Sequence, residues 1–443
     1  MTKIQSPFAQ PEALPFYEDS RIYNLGGGTP RPYEFNGWKP ESLSWKRSCY
    51  IHAGLSGPGQ FIYEGPEAAD FLSSICVNSF AKFRAGTAKH AIMCTEEGLI
   101  AGHGVLQRLE EERFRLFVAG PWSRYMLSKS KFDVRETVEN NFLFQVAGPA
   151  SLAILESLSG ENLSDIRFLR YRNIRIDGRE VQIMRMGMAG TLAYELHGEL
   201  EDGPAVYDAV YEAGRIHGIE RLGWMTYGVN HVEGGFPQQS WTFLAASHSD
   251  PGFRKYVDTI KPVRWTEPMF SGSVDPANTR ARHRTPHELG WQNSIRFDHD
   301  FVGKAALEAE AKAPQRTIVT LEWDTEDIID IYASMFRPGD EYKHLELPTS
   351  PHFRGILAVA DRVTKDGKDI GIASGTIYSY YFRKVLSLCT IDIAQAQIGN
   401  EVIVHWGEYG ARIKEVRARV ARYPYLNEGR NEIIDPKSVS TVA

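Results

Sequence analysis

Residues 185–198 read RMGMAGTLAYELHG, which is a glycine-rich turn followed by an alternation of apolar and polar side chains. The alternation predicts a β-strand with Leu192, Tyr194 and Leu196 on one face and Glu195 on the other. The glycines of the turn permit a close backbone approach just before that strand. We therefore expect a rigid strand that presents one carboxylate, Glu195, to a flat ligand.

The composition is that of an ordinary globular chain. It has 443 residues, of which 42% are apolar and 24% are charged, and a formal net charge of −6. Such a length favours about three domains. Because no Lys/Arg-rich run accompanies the negative net charge, we expect neither a nucleic-acid partner nor an acidic membrane partner.

Cysteine usage and the N-terminal residues favour a reduced, cytoplasmic protein. Cys49, Cys76, Cys94 and Cys389 are scattered without a C-x-x-C spacing, so we expect neither a zinc knuckle nor a disulfide scaffold. The histidines form no spacing typical of a metal site, and we predict no metal. Residues 1–16 lack the apolar core of a signal peptide, and no run is long enough for a spanning helix.

The order of short strands and helices predicts an α+β fold in three parts. Residues 1–38 are rich in proline, glycine and aromatic residues and are expected to form an irregular arm. Residues 39–314 mix strands and helices, with a strong hairpin signal at Asp177-Gly178. Residues 315–443 carry short strands separated by turns, and we expect a β-barrel followed by a tail.

Four strings resemble the signatures of one family. Residues 297–308, FDHDFVGKAALE, resemble a segment of the glycine-cleavage aminomethyltransferase (T-protein) superfamily, whose members bind tetrahydrofolate. Residues 145–149, 230–235 and 371–379 resemble further signatures of that superfamily in the same order. The resemblance implies a cloverleaf in which two α+β folate-binding subdomains are joined to a β-barrel.

Within the superfamily, the likeness is closer to the vanillate/3-O-methylgallate O-demethylases of lignin catabolism. Residues 188–190 and 331–336 resemble that branch. Ala101 and Gly102 stand where the aminomethyltransferases carry an Asp pair, so aminomethyl transfer from a lipoyl carrier is not expected. The resemblance implies transfer of a methyl group from an aryl ether to tetrahydrofolate.

The resemblance assigns four residues to the cofactor side. Glu195 is expected to accept two charge-assisted hydrogen bonds from adjacent N–H groups of the pterin. Gln145 stands where the demethylases direct an amide toward the pterin, and a structural role at the strand end is the alternative. Glu233 matches the family glutamate near the folate. Phe236 replaces a tryptophan, so it could stack on a ligand but lacks the indole N–H.

Two residues are candidates for proton transfer. Tyr227 matches the demethylase tyrosine between the two ligands, where a phenol could donate to the leaving ether oxygen. A core tyrosine with a satisfied hydroxyl group is the alternative. His103 directly follows Ala101 and Gly102, which replace the Asp pair of the aminomethyltransferases. Its side chain is suited to acid–base chemistry, although a lone histidine on a strand is often structural.

The substrate side departs from the demethylase pattern. An arm tyrosine, a histidine and an arginine that holds the substrate carboxylate are expected there, and Gly28 (or its neighbour Gly27), Ser56 and Gly120 stand at the matching positions. The pocket is therefore predicted to be wider and to lack a carboxylate clamp. Arg124 could supply a displaced charge, and a surface arginine on a helix is the alternative.

These observations support three functional hypotheses. The first is a tetrahydrofolate-dependent O-demethylase of a lignin-derived methoxyaromatic compound that is bulkier or uncharged. The second is a lyase that releases a hydroxymethyl carbon as formaldehyde from a phenylcoumaran-type aromatic dimer. The third is a non-catalytic folate-binding protein. The expected partner is a small aromatic molecule, and the sequence does not predict the oligomeric state.

Overall fold

The computed structural model describes residues 22–24, 31–55, 59–260, 267–349 and 357–439. No helix among those residues is long and apolar enough to cross a membrane. The helices are α1 (Trp38–Arg47), α2 (Ala68–Ile75), α3 (Trp122–Ser128), α4 (Ser151–Ser159), α5 (Gly203–Gly214), α6 (Trp224–Gly234), α7 (Pro251–Val257), α8 (Lys304–Lys312) and α9 (Thr325–Ser334).

The strands fall into two open sheets, one closed barrel and two small ladders. They are β1 (Ile22–Asn24), β2 (Arg31–Glu34), β3 (Cys49–His52), β4 (Gln60–Glu64), β5 (Thr87–Cys94), β6 (Ile100–Glu110), β7 (Arg113–Phe117), β8 (Arg135–Glu139), β9 (Asn141–Ala147), β10 (Tyr171–Ile176), β11 (Arg179–Met184), β12 (Ala193–Glu199), β13 (Ile219–Arg221), β14 (Met269–Ser271), β15 (Arg316–Trp323), β16 (Leu357–Val359), β17 (Asp361–Lys365), β18 (Lys368–Ser379), β19 (Lys384–Asp392), β20 (Glu401–Trp406) and β21 (Lys414–Ala421).

The first open sheet carries the opening segment of the sequence. Its six strands have the order β10-β11-β12-β9-β3-β13, and all neighbours are antiparallel except β13 and β3. Helices α4 and α5 bury Ile154 and Val206 in one core with Tyr194 and Leu196 of β12. The predicted alternation is confirmed, because these apolar side chains enter the core and Glu195 does not.

The second open sheet has the order β5-β6-β7-β4-β8 and is antiparallel throughout. Helices α2, α3 and α7 contribute Phe71, Trp122 and Phe253 to its core. The strands β5, β6 and β7 follow one another in space as they do in sequence, which is the meander that the short turns between them favour. This sheet carries His90 and His103 on its first two strands.

The third unit is a closed barrel of order β15-β19-β18-β17-β20-β21, in which β15 also pairs with β21. Its interior is filled by apolar side chains that include Trp323 and Trp406. The prediction of an α+β fold with a C-terminal β-barrel is therefore confirmed.

Two local predictions have different outcomes. Asp177 and Gly178 both have positive φ, 49° and 75°, between the paired residues Ile176 and Arg179, as a two-residue hairpin turn requires. The irregular arm over residues 1–38 stays a prediction, and in the described part of that range β1 and β2 form an antiparallel ladder. Pairing satisfies the backbone hydrogen bonds of this segment, which proline and glycine content alone did not predict.

Helix α6 connects the units, and nearly all its side chains are buried. It contacts α1 and β2 on one side and the barrel strands β18 and β19 on the other. Gly234 is the last residue of α6, and a Cβ added to it would lie 2.4 Å from the carbonyl oxygen of Met188. Gly190, in the same turn as Met188, has φ of +70°. The predicted close approach is therefore made by backbone, and it brings α6 against the turn that precedes β12.

The segment that follows the barrel returns to the first sheet. Arg185 donates from Nη2 to the carbonyl oxygens of Asn431 and Ile434, both at 2.6 Å. Asn431 in turn donates from Nδ2 to the carbonyl oxygen of Ala193 at 3.1 Å. The start of β12 is thus held by a segment that lies more than 200 residues further along the chain.

Candidate active site

Three polar side chains form a row across the first sheet. His52 on β3 lies directly opposite Gln145 on β9, and Gln145 lies directly opposite Glu195 on β12. Residues opposite each other in a ladder project from the same face. Gln145 donates from Nε2 to Oε1 of Glu195 at 2.9 Å. All three side chains are buried.

The row leaves hydrogen-bond acceptors unused. Oε2 of Glu195 and Oε1 of Gln145 are buried and accept no hydrogen bond from any residue that the structure describes. The neighbouring His197 places Nε2 3.5 Å from Oε2 of Glu195, which is long for a hydrogen bond. Burial lowers the pKa of His197. Because a buried acceptor without a partner costs about 1–3 kcal/mol, this pair of oxygens is suited to a ligand with N–H donors.

Tyr227 faces this row from α6. Its ring stacks on His52 with 4.1 Å between centroids and 12° between planes. His52 donates from Nδ1 to the carbonyl oxygen of Leu222 at 2.8 Å, which fixes the orientation of its ring. One helical turn after Tyr227, His231 contacts the phenol ring edge-on at 4.4 Å. The phenol is therefore held between two histidines.

A second pair of histidines lies on the other sheet. Nε2 of His90 is 3.1 Å from Nδ1 of His103, and Nε2 of His103 is buried without a hydrogen-bond partner among the described residues. Both rings contact Trp291, at 4.6 Å and 5.1 Å between centroids, and both contact Phe236. Burial among these rings lowers the pKa of His90 to about 4 and that of His103 well below its ordinary value.

These groups surround one inner cavity of ≈ 230 Å³. Its wall combines aromatic and apolar side chains with a few polar groups, as is usual for sites that bind small molecules. The polar lining residues are His90, His103, Gln145, Glu195, Tyr227, His231, Gln238 and Gln239, and the apolar ones include Leu55, Val105, Val118, Met186, Met188, Trp224 and Phe236.

A larger outer groove of ≈ 1080 Å³ adjoins the inner cavity. The two share five lining residues: His90, Val105, Met186, Met188 and Phe236. The groove is also lined by basic residues, which are Lys89, Arg296, Arg422 and Arg430. A ligand whose flat end lies beside Glu195 could therefore extend an anionic end into the groove.

Comparison with known proteins identifies the family. Residues 22–241 match the protein family described as "GCVT N-terminal domain". A sesamin methylene transferase of Sinomonas sp. is 38% identical over 92% of this chain and 93% of its own length. The chain belongs to the T-protein superfamily. A syringate O-demethylase of Sphingobium sp. is 31% identical over 91% of this chain and 92% of its own length.

A solved structure agrees on the fold. The glycine cleavage system aminomethyltransferase T from Bartonella henselae superposes with a TM-score of 0.69, covering 95% of this chain and 99% of that protein at 17% identity. At that identity the match supports the fold alone. The aminomethyltransferase-like arrangement is thereby confirmed.

The structure brings five of the predicted site residues of this T-protein homologue together. They line the inner cavity, and they are His103, Gln145, Glu195, Tyr227 and Phe236. Gly28 and Ser56 lie outside the described residues. Gly120 is half-buried, and a Cβ added to it would meet no heavy atom within 4 Å.

Two predicted site residues point elsewhere. Oε2 of Glu233 forms an ion pair with Lys46, and its Oε1 accepts a hydrogen bond from Ser379 at 2.6 Å. Arg124 places Nε 2.9 Å from Glu136, and its guanidinium lies over the ring of Phe61. In each case a partner on another element pairs with the charge, and neither side chain lines the inner cavity.

Sequence reasoning missed three histidines of the site. His231 follows Tyr227 at the i, i+4 spacing of one helix face, and this signal was available in the sequence. His90 and His52 carry no such signal, because their positions depend on strand register and on the packing of α6. The prediction that the chain holds no metal stays a prediction, and within the described ranges no cluster of three His, Cys, Asp or Glu side chains is arranged to bind one.

Proposed function

We propose that this protein is a tetrahydrofolate-dependent transferase that removes a one-carbon unit from an uncharged aromatic ether, with O-demethylation of a methoxyaromatic compound as its principal reaction. The observation that carries the proposal is the pair of unused acceptors on Glu195 and Gln145, which lie in a small cavity that also holds Tyr227. Membership of the T-protein superfamily supports the choice of a folate.

The residues present fit the pterin end of a folate. Glu195 and Gln145 would accept hydrogen bonds from adjacent N–H groups on the ring edge. In the outer groove, Arg296 donates to the carbonyl oxygens of Asn293 and Ile295, and Lys89 donates to that of Ser79. These cations would bind the carboxylates at the other end of the folate. When bound, the folate supplies the nucleophilic nitrogen that accepts the carbon.

The chain contributes positioning and proton transfer to the reaction. His52 and His231 hold the ring of Tyr227 in the cavity, so its hydroxyl group would donate a hydrogen bond to the ether oxygen as the carbon–oxygen bond breaks. His103 lines the same cavity, and its Nε2 has no hydrogen-bond partner among the described residues, so this ring could take up a proton. The small cavity, whose wall includes several aromatic rings, would hold the two reactants together.

The absence of a cation near Tyr227 supports an uncharged substrate. Among the described residues that line the inner cavity there is no Lys or Arg, and Arg124 pairs with Glu136. A substrate carboxylate would lie beside Glu195 or neutral groups. Its binding would be weakened because it would lose its hydration without gaining a counter-ion. Aromatic ethers without an acidic group are therefore the proposed class.

A second candidate reaction is transfer of a methylene unit. The relative named sesamin methylene transferase matches at 38% identity over nearly the full length of both chains. An aromatic ring that carries a methylenedioxy group would fit the same uncharged cavity. In that reaction both carbon–oxygen bonds break, the carbon ends on the folate, and each oxygen gains a proton.

One experiment separates these reactions. The protein is incubated with tetrahydrofolate and a panel of neutral methoxyaromatic and methylenedioxy compounds, and the folate products are analysed by mass spectrometry. We expect 5-methyltetrahydrofolate from the methoxy compounds, whereas 5,10-methylenetetrahydrofolate from the methylenedioxy compounds would favour the second candidate. Formaldehyde released without added folate would support the lyase hypothesis instead. Folate binding without turnover of any compound would contradict both transferase reactions.

A further inference from the structure

His90 and His103 are diagonal neighbours on one face of the second sheet. Strand β5 pairs with β6 so that His90 lies opposite Val105 and Ile92 lies opposite His103. This register brings Nε2 of His90 to 3.1 Å from Nδ1 of His103. One hydrogen atom therefore bridges the two rings, and either ring can be its donor.

The pair spans the wall between the two cavities. His103 lines the inner cavity alone, whereas His90 lines the inner cavity and the outer groove. The nitrogen of His103 that does not face His90 is the buried Nε2, which has no partner among the described residues. The two rings thus connect a residue that lines the inner cavity to one that also lines the groove.

Aromatic neighbours keep both rings neutral. Trp291, Phe236 and Phe243 pack around the pair, and burial lowers the pKa of each imidazole. A neutral imidazole has one N–H donor and one acceptor nitrogen. It can accept a proton at one nitrogen and release a proton from the other, so that no ring holds a charge for long.

We propose that His90 and His103 form a two-histidine proton relay between the inner cavity and the outer groove. His103 takes up a proton at Nε2 and passes the proton of Nδ1 to Nε2 of His90, which releases its own Nδ1 proton to the groove. The reverse passage returns a proton to the cavity. His103 is the member that touches the reactants, and His90 acts through it.

The relay rests on the proposed function. The methyl-transfer reaction releases one proton and consumes one proton, and the relay can carry both. In methyl transfer the ether carbon–oxygen bond breaks with its electron pair on oxygen, and a nitrogen–carbon bond forms. The attacking nitrogen loses one proton, and the phenolate oxygen gains one. One passage outward and one inward occur in each turnover, so both histidines return to their starting tautomers.

A structural role for His90 can be separated from a relay by His90→Gln. A glutamine amide can still donate to Nδ1 of His103, which preserves the hydrogen bond but cannot pass a proton on. For the relay we expect unchanged tetrahydrofolate affinity and a kcat lower by about 100-fold. In His90→Ala, added imidazole should restore part of the lost kcat. His217→Gln, at the end of the turn that follows α5, is the matched control and should behave as wild type.

Histidine ¹⁵N NMR supplies a readout that does not depend on turnover. In the wild-type protein His103 should exchange between its two neutral tautomers, and in His90→Gln it should hold its proton at Nε2 alone. A glutamine variant with wild-type kcat, or a single His103 tautomer in the wild type, would overturn the relay. If no aromatic ether yields a product while His103 still exchanges tautomers, the proposed function fails and the relay stands.

Discussion

Lys46 and Glu233 form an ion pair with almost no solvent exposure, 3% for the lysine side chain and 0% for the glutamate. The pair joins α1 to α6, and Ser379 of the barrel donates to the other carboxylate oxygen. The ammonium group also lies 3.6 Å from the centroid of the Trp45 ring. A residue predicted to bind the cofactor therefore connects three elements of the core.

Removing one partner of this pair should be more harmful than removing both. Lys46→Met leaves the Glu233 carboxylate buried without its counter-ion, and we expect a loss of about 3–5 kcal/mol in the free energy of unfolding. The double variant Lys46→Met/Glu233→Leu should recover most of that loss. Urea unfolding measures both. Arg215→Ala removes the exposed pair with Glu212 and should cost less than about 1 kcal/mol; equal costs in all three variants would contradict the prediction.

Glu195→Gln should weaken folate binding without unfolding the protein. The amide keeps the shape of the side chain but replaces one charge-assisted acceptor by a donor, so we expect a loss of about 1.5–3 kcal/mol, or roughly 10- to 100-fold in Kd. Isothermal titration with tetrahydrofolate measures the change. Glu199→Gln, at the exposed end of the same strand, is the control, and its Kd should match the wild type.

Tyr227→Phe should lower kcat and leave the affinity for folate unchanged. The substitution keeps the ring stacked on His52 and removes only the hydroxyl group, so we expect kcat to fall by about 100-fold. The buried hydroxyl of Tyr194 has no hydrogen-bond partner among the described residues and lies outside the cavity. Tyr194→Phe should therefore retain both kcat and stability, and a similar loss in both variants would point to packing instead.

Acid should destabilise the protein through His90 and His231. Burial lowers the pKa of His90 and of His231 to about 4 from an ordinary value of 6.5. Both are neutral in the folded state, whereas the unfolded chain binds protons below about pH 6.5. Their contribution to the free energy of unfolding is therefore fully present above about pH 6.5 and is lost as the pH falls toward 4. The loss is up to about 3 kcal/mol for each histidine.

Urea unfolding of the wild type and His90→Phe between about pH 7.5 and 4.5 tests this linkage. The phenylalanine cannot titrate and suits the aromatic surroundings, so the free energy of unfolding should fall less steeply with acid in the variant. Parallel curves for the two proteins would show that His90 does not contribute.

Gly120→Arg should extend the substrate range to aromatic acids. A Cβ at this position meets no heavy atom within 4 Å, so the first atom of a longer side chain would cause no steric clash. The sequence resemblance implies that this position corresponds to a carboxylate-binding arginine, so we expect kcat/KM for a methoxybenzoate to rise at least about tenfold. Gly120→Leu adds bulk without charge and serves as the control. An equal gain from leucine would exclude a carboxylate clamp.

The part of the site that depends on local patterns was predictable. The alternation around Glu195 and the hairpin at Asp177-Gly178 are properties of a few consecutive residues, and both are confirmed. The family resemblance assigned Gln145 and Glu195 to the cofactor side, but the register that places them opposite each other is not specified by the local sequence.

The partners of these charges were not predictable. Lys46 on α1 pairs with Glu233 on α6, and Arg124 on α3 pairs with Glu136 on β8. A long charged side chain follows whichever opposite charge the fold brings near it, because an unpaired buried charge is costly. No local pattern identifies that partner, so Glu233 was assigned to the cofactor on the resemblance, and Arg124 was considered as a substrate charge beside the alternative of a surface arginine.

The bonds that Asn431 makes to Arg185 and Ala193 set an order of events during synthesis. The strand that carries Glu195 emerges from the ribosome early, together with the rest of its sheet. Asn431, which donates a hydrogen bond to the carbonyl oxygen of Ala193 at the start of this strand, emerges only after the whole barrel has been made. A nascent chain can therefore fold its subdomains in sequence, but it acquires a finished ligand site only once the segment after the barrel has been made.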